Sequence, residues 1–303
     1  MTLDPTDGDG WTSCDLGHEH WGRFGAAGLL LHTVDDDGQA RVLMQHRSEL
    51  SHHGGTWGIP GGARASREDA VAAACREAAE EAGIDASRLR VRRVHVDDHG
   101  GWTYQTVVAD TPEPLPTVAN AESLDLTWQP IADVAALDLH PGFAATWPLV
   151  RTRAIALVVD AANVVGTDPF RYLAQGWWHD RARATTAFLA DLGRLRARTT
   201  RSPSGEPVVV RRVHVVVEGK ARGAVGTAPG WLEVHAASGS GDDTVVTVAE
   251  ADSDAWVVTA DACLRRRLPA DVEVVGPRWL LAEVDADASG AAAVKAVTPS
   301  TDP

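Results

Sequence analysis

Apolar residues run almost unbroken through AAGLLLHTV (26–34), stop at the turn DDDG (35–38), and then alternate with polar ones through ARVLMQHR (40–47). A short apolar run bounded by turn residues fits a strand, and alternation fits a half-buried one, so the pair predicts a β-hairpin. HHGGTWGIPGGA (52–63) is dense in glycine and proline and predicts a loop. An alanine-rich helix is expected over about 67–82, with Ser66 as its cap, Asp69 three residues on in the form of a capping box, and Gly83 as its stop. RLRVRRVHV (88–96) and WTYQTVVAD (102–110) alternate as strands around the turn at His99–Gly100–Gly101. LDLTWQP (124–130) predicts a further strand and IADVAAL (131–137) a short helix, and HPGFAATWPLVR (140–151) leads out of this series.

A second series opens at AIALVVD (154–160), a continuous apolar strand of the kind buried on both faces. A long helix is expected over about 176–198, followed by strands at VVVRRVHVVVE (208–218) and WLEVHAA (231–237). GDDTVVTVAEA (241–251) predicts a helix, AWVVTA (255–260) a strand and DACLRRRL (261–268) a helix, and VEVVG (272–276) with PRWLLAEV (277–284) adds one more strand–helix pair. Strands alternating with helices predict a parallel α/β sheet. Residues 1–20 are expected to form a flexible leader, and the Ala/Asp/Ser-rich residues 286–303 a disordered tail.

Composition bounds this picture. A chain of 303 residues with 44% hydrophobic content fits two domains, each with its own core. No apolar run approaches the roughly 18 residues of a membrane span, and the polar, acidic N-terminus lacks the pattern of a signal peptide, so a cytoplasmic location is expected. Cys14, Cys75 and Cys263 form no CxxC pair, a spacing that argues against both disulfides and zinc. Residues 154–303 hold 16 Lys and Arg against 19 Asp and Glu, a net of −3, which leaves −11 of the total −14 to residues 1–153. The acidic half does not attract nucleic acid by its bulk field. The other half gathers Arg194, Arg196, Arg198, Arg201, Arg211 and Arg212, which read equally as a hold on an RNA backbone or as a solvated helix end and loop.

The chemistry concentrates in GGARASREDAVAAACREAAEEAGI (61–84). Glu77, Glu80 and Glu81 stand at i, i+3 and i+4, so on a helix their carboxylates share one face. Like charges on one patch repel unless a cation sits between them, and hard divalent ions take carboxylate oxygens while leaving ligand positions for phosphate and water. Gly61–Gly62 allows backbone to approach closely, and Arg76 can bond a carboxylate and hold the loop to the helix. A solvated acidic helix face is the bland alternative. Gly62, Glu68, Arg76, Glu77, Glu80, Glu81, Gly83 and Ile84 fit G-x5-E-x7-R-E-U-x-E-E-x-G-U, with Ala78 in the apolar slot. Residues 21–150, led in by W-x-I-P-G-G at 57–62, thus resemble the Nudix hydrolase family.

That resemblance implies an α/β/α sandwich with a mixed sheet and Mg²⁺- or Mn²⁺-dependent hydrolysis of a nucleotide, or of a nucleoside diphosphate linked to another group. It implies metal ligation by Glu77, Glu80, Glu81 and a carbonyl of Gly61 or Gly62, with Gly62, Glu68 and Arg76 supporting the loop and helix. The general base is Glu81, Glu80 or Glu122, and Glu122 reads equally as an exposed loop acid. His52 and His53 are candidates for phosphate contact, although loop histidines are usually only solvated. Trp57, Trp102, Tyr104 and Trp128 are candidates to stack a base, and equally core or rim aromatics. Oxidised dGTP, another nucleotide and ADP-ribose all stay open as substrates.

In the second half, acids fall at element tips: Asp160, Asp242, Asp243 and Asp261. Such a cluster suits metal-assisted phosphodiester hydrolysis, whereas each acid alone suits a helix cap. With Asn163 in D-x-x-N, and Asp180 and Arg181 in WWHDR, residues 154–285 resemble a PIN-like nuclease domain of the NYN type, a Rossmannoid parallel α/β fold. The resemblance implies RNA as a partner. Ala-Cys-Leu after Asp261 departs from the polar surroundings usual there. A rival reading makes the Nudix-like half a nucleotide sensor that regulates an attached ribonuclease.

Overall fold

From Trp11 onward, the segment expected to be a loose leader is ordered in the computed structural model, which describes residues 7–224 and 231–290. β1 (Trp11–Ser13) and β2 (Glu19–Trp21) pair antiparallel with Trp11 opposite Trp21, their rings edge to face at 5.7 Å. Aromatic cross-strand pairs of this kind contribute roughly 0.2–1 kcal/mol. The Asp15 N–H also donates to the Gly100 carbonyl at 2.8 Å, so the hairpin is anchored to a distant turn. Residues 1–6 of the expected leader lie outside the described residues.

The first of two units, residues 1–35 with 39–152, is built on a seven-stranded sheet. Its strands are β3 (Ala26–Val34), β4 (Ala40–Arg47), β5 (Trp57–Gly58), β6 (Gly61–Ala63), β7 (Arg90–Asp98), β8 (Thr103–Asp110) and β9 (Ser123–Pro130). The order is β5-β4-β3-β8-β7, with β6 added to β3 and β9 to β4. β3 runs parallel to β8, and the other pairs are antiparallel. All nine residues of β3 are buried, because helices cover both faces of the sheet. Leu29 and Leu31 face the alanines of α1 (Ala70–Ala82), and Leu30 faces Phe143, Trp147 and Val150 of α2 (Pro141–Val150). Each fully buried leucine contributes about 1.5–3 kcal/mol. Alanine at Ala70, Ala73, Ala74, Ala78 and Ala82 keeps the helix slim enough to lie close on the sheet.

Several local expectations shift. α1 starts at Ala70, later than expected, because Asp69 rather than Ser66 is its cap, accepting from the Ala72 N–H at 2.8 Å. The stretch before it wraps around the Glu68 carboxylate instead of joining the helix. The Gly/Pro-rich loop contains β5 and β6, short pairings that no periodicity announces. The short helix expected at 131–137 is only a 3₁₀ turn at Val134–Ala136.

The second unit, residues 36–38 with 153–303, centres on β10 (Arg153–Asp160), flanked by parallel β12 (Pro207–Val217) and β14 (Ala255–Val258). β13 (Leu232–Ala236) and β15 (Glu273–Val275) extend the sheet in parallel. β11 (Thr199–Arg201) joins antiparallel to β12, so the expected parallel sheet is mixed at that edge. One face packs on α3 (Ala161–Thr167), α4 (Arg181–Leu192) and α7 (Pro277–Gly290), around Leu157, Phe188 and Trp256. The other packs on α5 (Gly241–Glu250) and α6 (Ala262–Arg265), around Val158 and Val257. The long helix expected at 176–198 is shorter, because Asp180 caps α4 and Gly193 ends it. The expected disordered tail begins inside α7, which runs on to Gly290, and residues 291–303 lie outside the described residues.

Candidate active site

Arg76, on the inward face of α1, organises the first unit's acids. Its Nε and one terminal nitrogen hold both oxygens of Glu68, at 3.0 and 2.9 Å. The same terminal nitrogen donates to the Ala63 carbonyl at 2.9 Å, and the other reaches Glu77 at 2.8 Å and Glu80 at 3.3 Å. Glu68 also accepts from the Ala65 N–H at 3.1 Å. Burial works to raise its pKa, but the hydrogen bonds from Arg76 and Ala65 outweigh it and hold Glu68 below the ordinary carboxylate range. A bidentate arginine fork fixes direction as well as charge, so loop and helix are locked in one arrangement.

Glu77 and Glu81 project from α1 toward the Gly61–Gly62 backbone. The Gly61 N–H donates to Glu81 at 2.9 Å, and a Cβ on Gly62 would fall 2.5 Å from the Glu77 carboxylate. A side chain at 62 would therefore push the Glu77 carboxylate from this position. Glu81 is only 4% exposed, whereas Glu80 sits at the rim. Glu122, on the exposed turn before β9, hydrogen-bonds Glu81 and adds its charge to both Glu81 and Glu77. Burial first, and the neighbouring carboxylates after it, push Glu77 up to about 7 and Glu81 up to about 8. Arg76 works against the rise at Glu77, and the Gly61 N–H against the rise at Glu81. Fully ionised, Glu77, Glu80, Glu81 and Glu122 would carry more negative charge than the one nearby guanidinium offsets, which is why Glu77 and Glu81 keep protons. Their all-oxygen donor set fits a hard divalent cation such as Mg²⁺ or Mn²⁺. A cleft of about 220 Å³ lined by Ser48, Leu50, Ser51, Ala121 and Glu122 opens beside them.

Tyr104 enters this site by a route the sequence does not announce. A Cβ at Gly61 would lie 3.0 Å from its hydroxyl, and burial together with Glu81 and Glu77 raises its pKa, keeping that hydroxyl protonated. The other aromatics are committed elsewhere. Trp102 is buried and donates to the Gly22 carbonyl at 2.9 Å, and Trp128 donates to the Leu115 carbonyl at 3.0 Å. Trp57 stacks on His46 at 4.6 Å. His52 and His53 gather with His140, whose Nδ1 accepts from the Gly142 N–H at the start of α2.

In the second unit, Asp160 ends β10 at the carboxyl edge of the sheet. It accepts from the Asn163 N–H at 3.2 Å and from the Thr259 hydroxyl at 3.1 Å. Burial raises its pKa, with the charges of Asp242 and Glu218 adding to the rise. Asp242 is itself paired with Arg267 at 3.5 Å, and Glu218 accepts from the Gly241 N–H at 3.0 Å. Glu218 follows β12 directly, and its position at a strand's carboxyl end is the signal that could have found it. The other acids serve the backbone or an ion pair. Asp180 accepts from the Arg183 N–H at the start of α4, and Asp261 accepts from Cys263 and Leu264 at the start of α6. Asp243 pairs with Arg267, and Arg181 lies over the Trp177 ring. Asn163 receives the Ala260 N–H at 2.7 Å, which bridges two loops. Arg211 is bound to Asp252, and Arg198 is buried and donates to the Glu283 carbonyl, so neither presents a bare charge to a nucleic acid.

The NUDIX domain family model matches residues 24–150. A Mycobacterium tuberculosis protein named "Putative 8-oxo-dGTP diphosphatase 3" is 54% identical over 152 residues, spanning 48% of this chain and 70% of that protein. A nucleoside triphosphate pyrophosphatase/Nudix hydrolase fusion protein of Bifidobacterium longum is 42% identical over 153 residues, spanning 48% of this chain and 31% of the fusion. Among solved structures, a Nudix hydrolase from M. smegmatis is 51% identical, with 48% of this chain and 93% of that one covered, at a TM-score of 0.46.

Proposed function

The chain belongs to the NUDIX family and hydrolyses phosphoanhydride bonds, and from that premise we propose a divalent-cation-dependent nucleotide pyrophosphohydrolase whose reaction is carried by Glu77, Glu80, Glu81 and Glu122. The observation that carries this reading is the meeting of Glu122 with Glu77 and the nearly buried Glu81, against glycine backbone. Mg²⁺ or Mn²⁺, held by Glu77, Glu80, Glu81 and a carbonyl of Gly61 or Gly62, would supply the charge neutralisation and water activation that pyrophosphate hydrolysis needs. The protein's own part is positional. Arg76 and Glu68 lock the loop onto α1, and the Gly61 N–H fixes one oxygen of Glu81. Glu122 takes the proton of the attacking water in this reading, because it is exposed to the cleft and touches Glu81. The name and 54% identity of the M. tuberculosis relative make 8-oxo-dGTP the first nucleotide to test, ahead of other nucleotides and ADP-ribose.

The test is pyrophosphate and phosphate release from such a panel with Mg²⁺, for wild type against Glu81→Gln. Turnover should fall by at least about 100-fold, the scale on which a positioned acid–base group contributes. Unchanged turnover in the variant would remove Glu81 from the machinery.

For the second unit we infer a PIN-like nuclease acting on RNA, with Asp160, Glu218 and Asp242 as its acids. Asp160 and Glu218 at the carboxyl ends of β10 and β12, with the charge of Asp242 from the first turn of α5 acting on Asp160, support it, since ligands of parallel α/β sheets gather there. Mg²⁺-dependent cleavage of single-stranded RNA should be lost in Asp160→Asn. Cleavage that persists there, or that wild type lacks, would refute it.

A further inference from the structure

Three histidines and the most buried cysteine meet on the first unit, away from the carboxylates of α1. Cys14, His18, His20 and His99 each offer one donor atom, and these atoms lie within 4.8 Å of one another. Cys14, His18 and His20 come from the β1–β2 hairpin, and His99 comes from the turn between β7 and β8. The hairpin turn sets the first two, since the Cys14 N–H donates to the His18 carbonyl at 3.0 Å. The His20 ring stacks on Trp102 at 3.9 Å and is nearly coplanar with it, which fixes its orientation.

Two ring nitrogens of these histidines lack a hydrogen-bond partner. Nε2 of His20 and Nδ1 of His99 are shielded from solvent and meet no hydrogen-bond partner. A shielded ring nitrogen left without a partner is unfavourable, so such atoms are uncommon unless something binds them. The other nitrogen of His99 lies 3.3 Å from an Asp97 carboxylate oxygen. A carboxylate behind a histidine is how metal-ligating imidazoles are held in one tautomer and one orientation.

We propose that Cys14, His18, His20 and His99 bind one zinc ion in a closed tetrahedral site that fastens the β1–β2 hairpin to the β7–β8 turn. One thiolate and three imidazoles are a borderline-soft donor set, suited to zinc and unlike the oxygen set of the α1 carboxylates. Four protein donors leave no open position, so the site is structural and not hydrolytic. Tetrahedral zinc places such donors about 3.3–3.8 Å apart. Zinc binding releases the Cys14 thiol proton, since the thiolate is the ligand.

The test uses the full chain, stripped with a chelator and titrated with Co²⁺ as a spectroscopic stand-in. A thiolate-to-cobalt charge-transfer band and strong visible bands of tetrahedral cobalt should grow to one ion per chain and vanish when Zn²⁺ is added. Cys14→Ser should abolish the charge-transfer band, whereas Cys75→Ser, Cys263→Ser and Glu81→Gln should keep it. His18→Ala alters an exposed side chain and should weaken zinc binding without changing the far-UV circular dichroism. Asp97→Asn should weaken binding about 10–100-fold. A folded chain that gives no charge-transfer band, or a band that survives Cys14→Ser, would overturn the proposal, as would unaltered zinc affinity in His18→Ala.

Discussion

Glu81 and Glu77 hold protons in the folded, metal-free chain that the unfolded chain has already released. Burial, with the other carboxylates behind it, raises them from 4.5 to about 8 and about 7. The sign follows from linkage: between pH 4.5 and 8 the native state binds more protons than the unfolded state, so stability falls as pH rises through that window. A divalent cation that binds the ionised carboxylates opposes this loss. Mg²⁺ or Mn²⁺ binding near pH 7 should therefore release protons, and release fewer at pH 9. Titration calorimetry in buffers of different ionisation enthalpy reads this directly, and heats independent of buffer at pH 7 would contradict it.

At the scale of the element, α1 shows how the end of a helix holds the site. Gly83 closes it at φ 68°, in the left-handed region, and its N–H returns to the Ala79 carbonyl at 3.1 Å. A side chain there costs about 1–2 kcal/mol, and a Cβ would also meet Val118 at 3.2 Å. Gly83→Ala should lower unfolding stability by about that amount in urea titration, with the loss falling on the first unit. Because Glu80 and Glu81 lie in the last turn, hydrolysis should weaken along with stability. A variant as stable as wild type would show that the turn relaxes. Gly83 as the stop of α1 was legible in the sequence, whereas the start was not. Ser66 and Asp69 are both capping residue types, and only the tertiary contact of Glu68 with Arg76 decides between them.

At the scale of the molecule, each unit has its own core, and the two should respond to mutation separately. Trp256 is completely buried in the second unit, so Trp256→Ala should cost that unit about 3–5 kcal/mol. Scanning calorimetry should show one transition shifted down while phosphoanhydride hydrolysis at 25 °C is retained. Loss of hydrolysis in parallel with the shift would mean the units are not independent. The strands of both sheets and the glutamates of α1 could be read from the sequence, because alternation, apolar runs and i, i+3, i+4 spacing are local signals. β5, β6 and β11 could not, since two or three residues carry no period and pair only when a partner edge is already in place. Glu122 acts on Glu81, Glu81 on Tyr104 and Glu218 on Asp160 from positions far along the chain. The cysteine spacing spoke against zinc because it counts cysteine pairs, while the group at Cys14 is completed by histidines, one of them 85 positions away. The longer strands, the family and the carboxylates of α1 could be read from the chain, because all three are written in short-range spacing. Which remaining side chains converge was decided by the tertiary structure alone, because distance along the chain sets no limit on proximity once strands pair across a sheet.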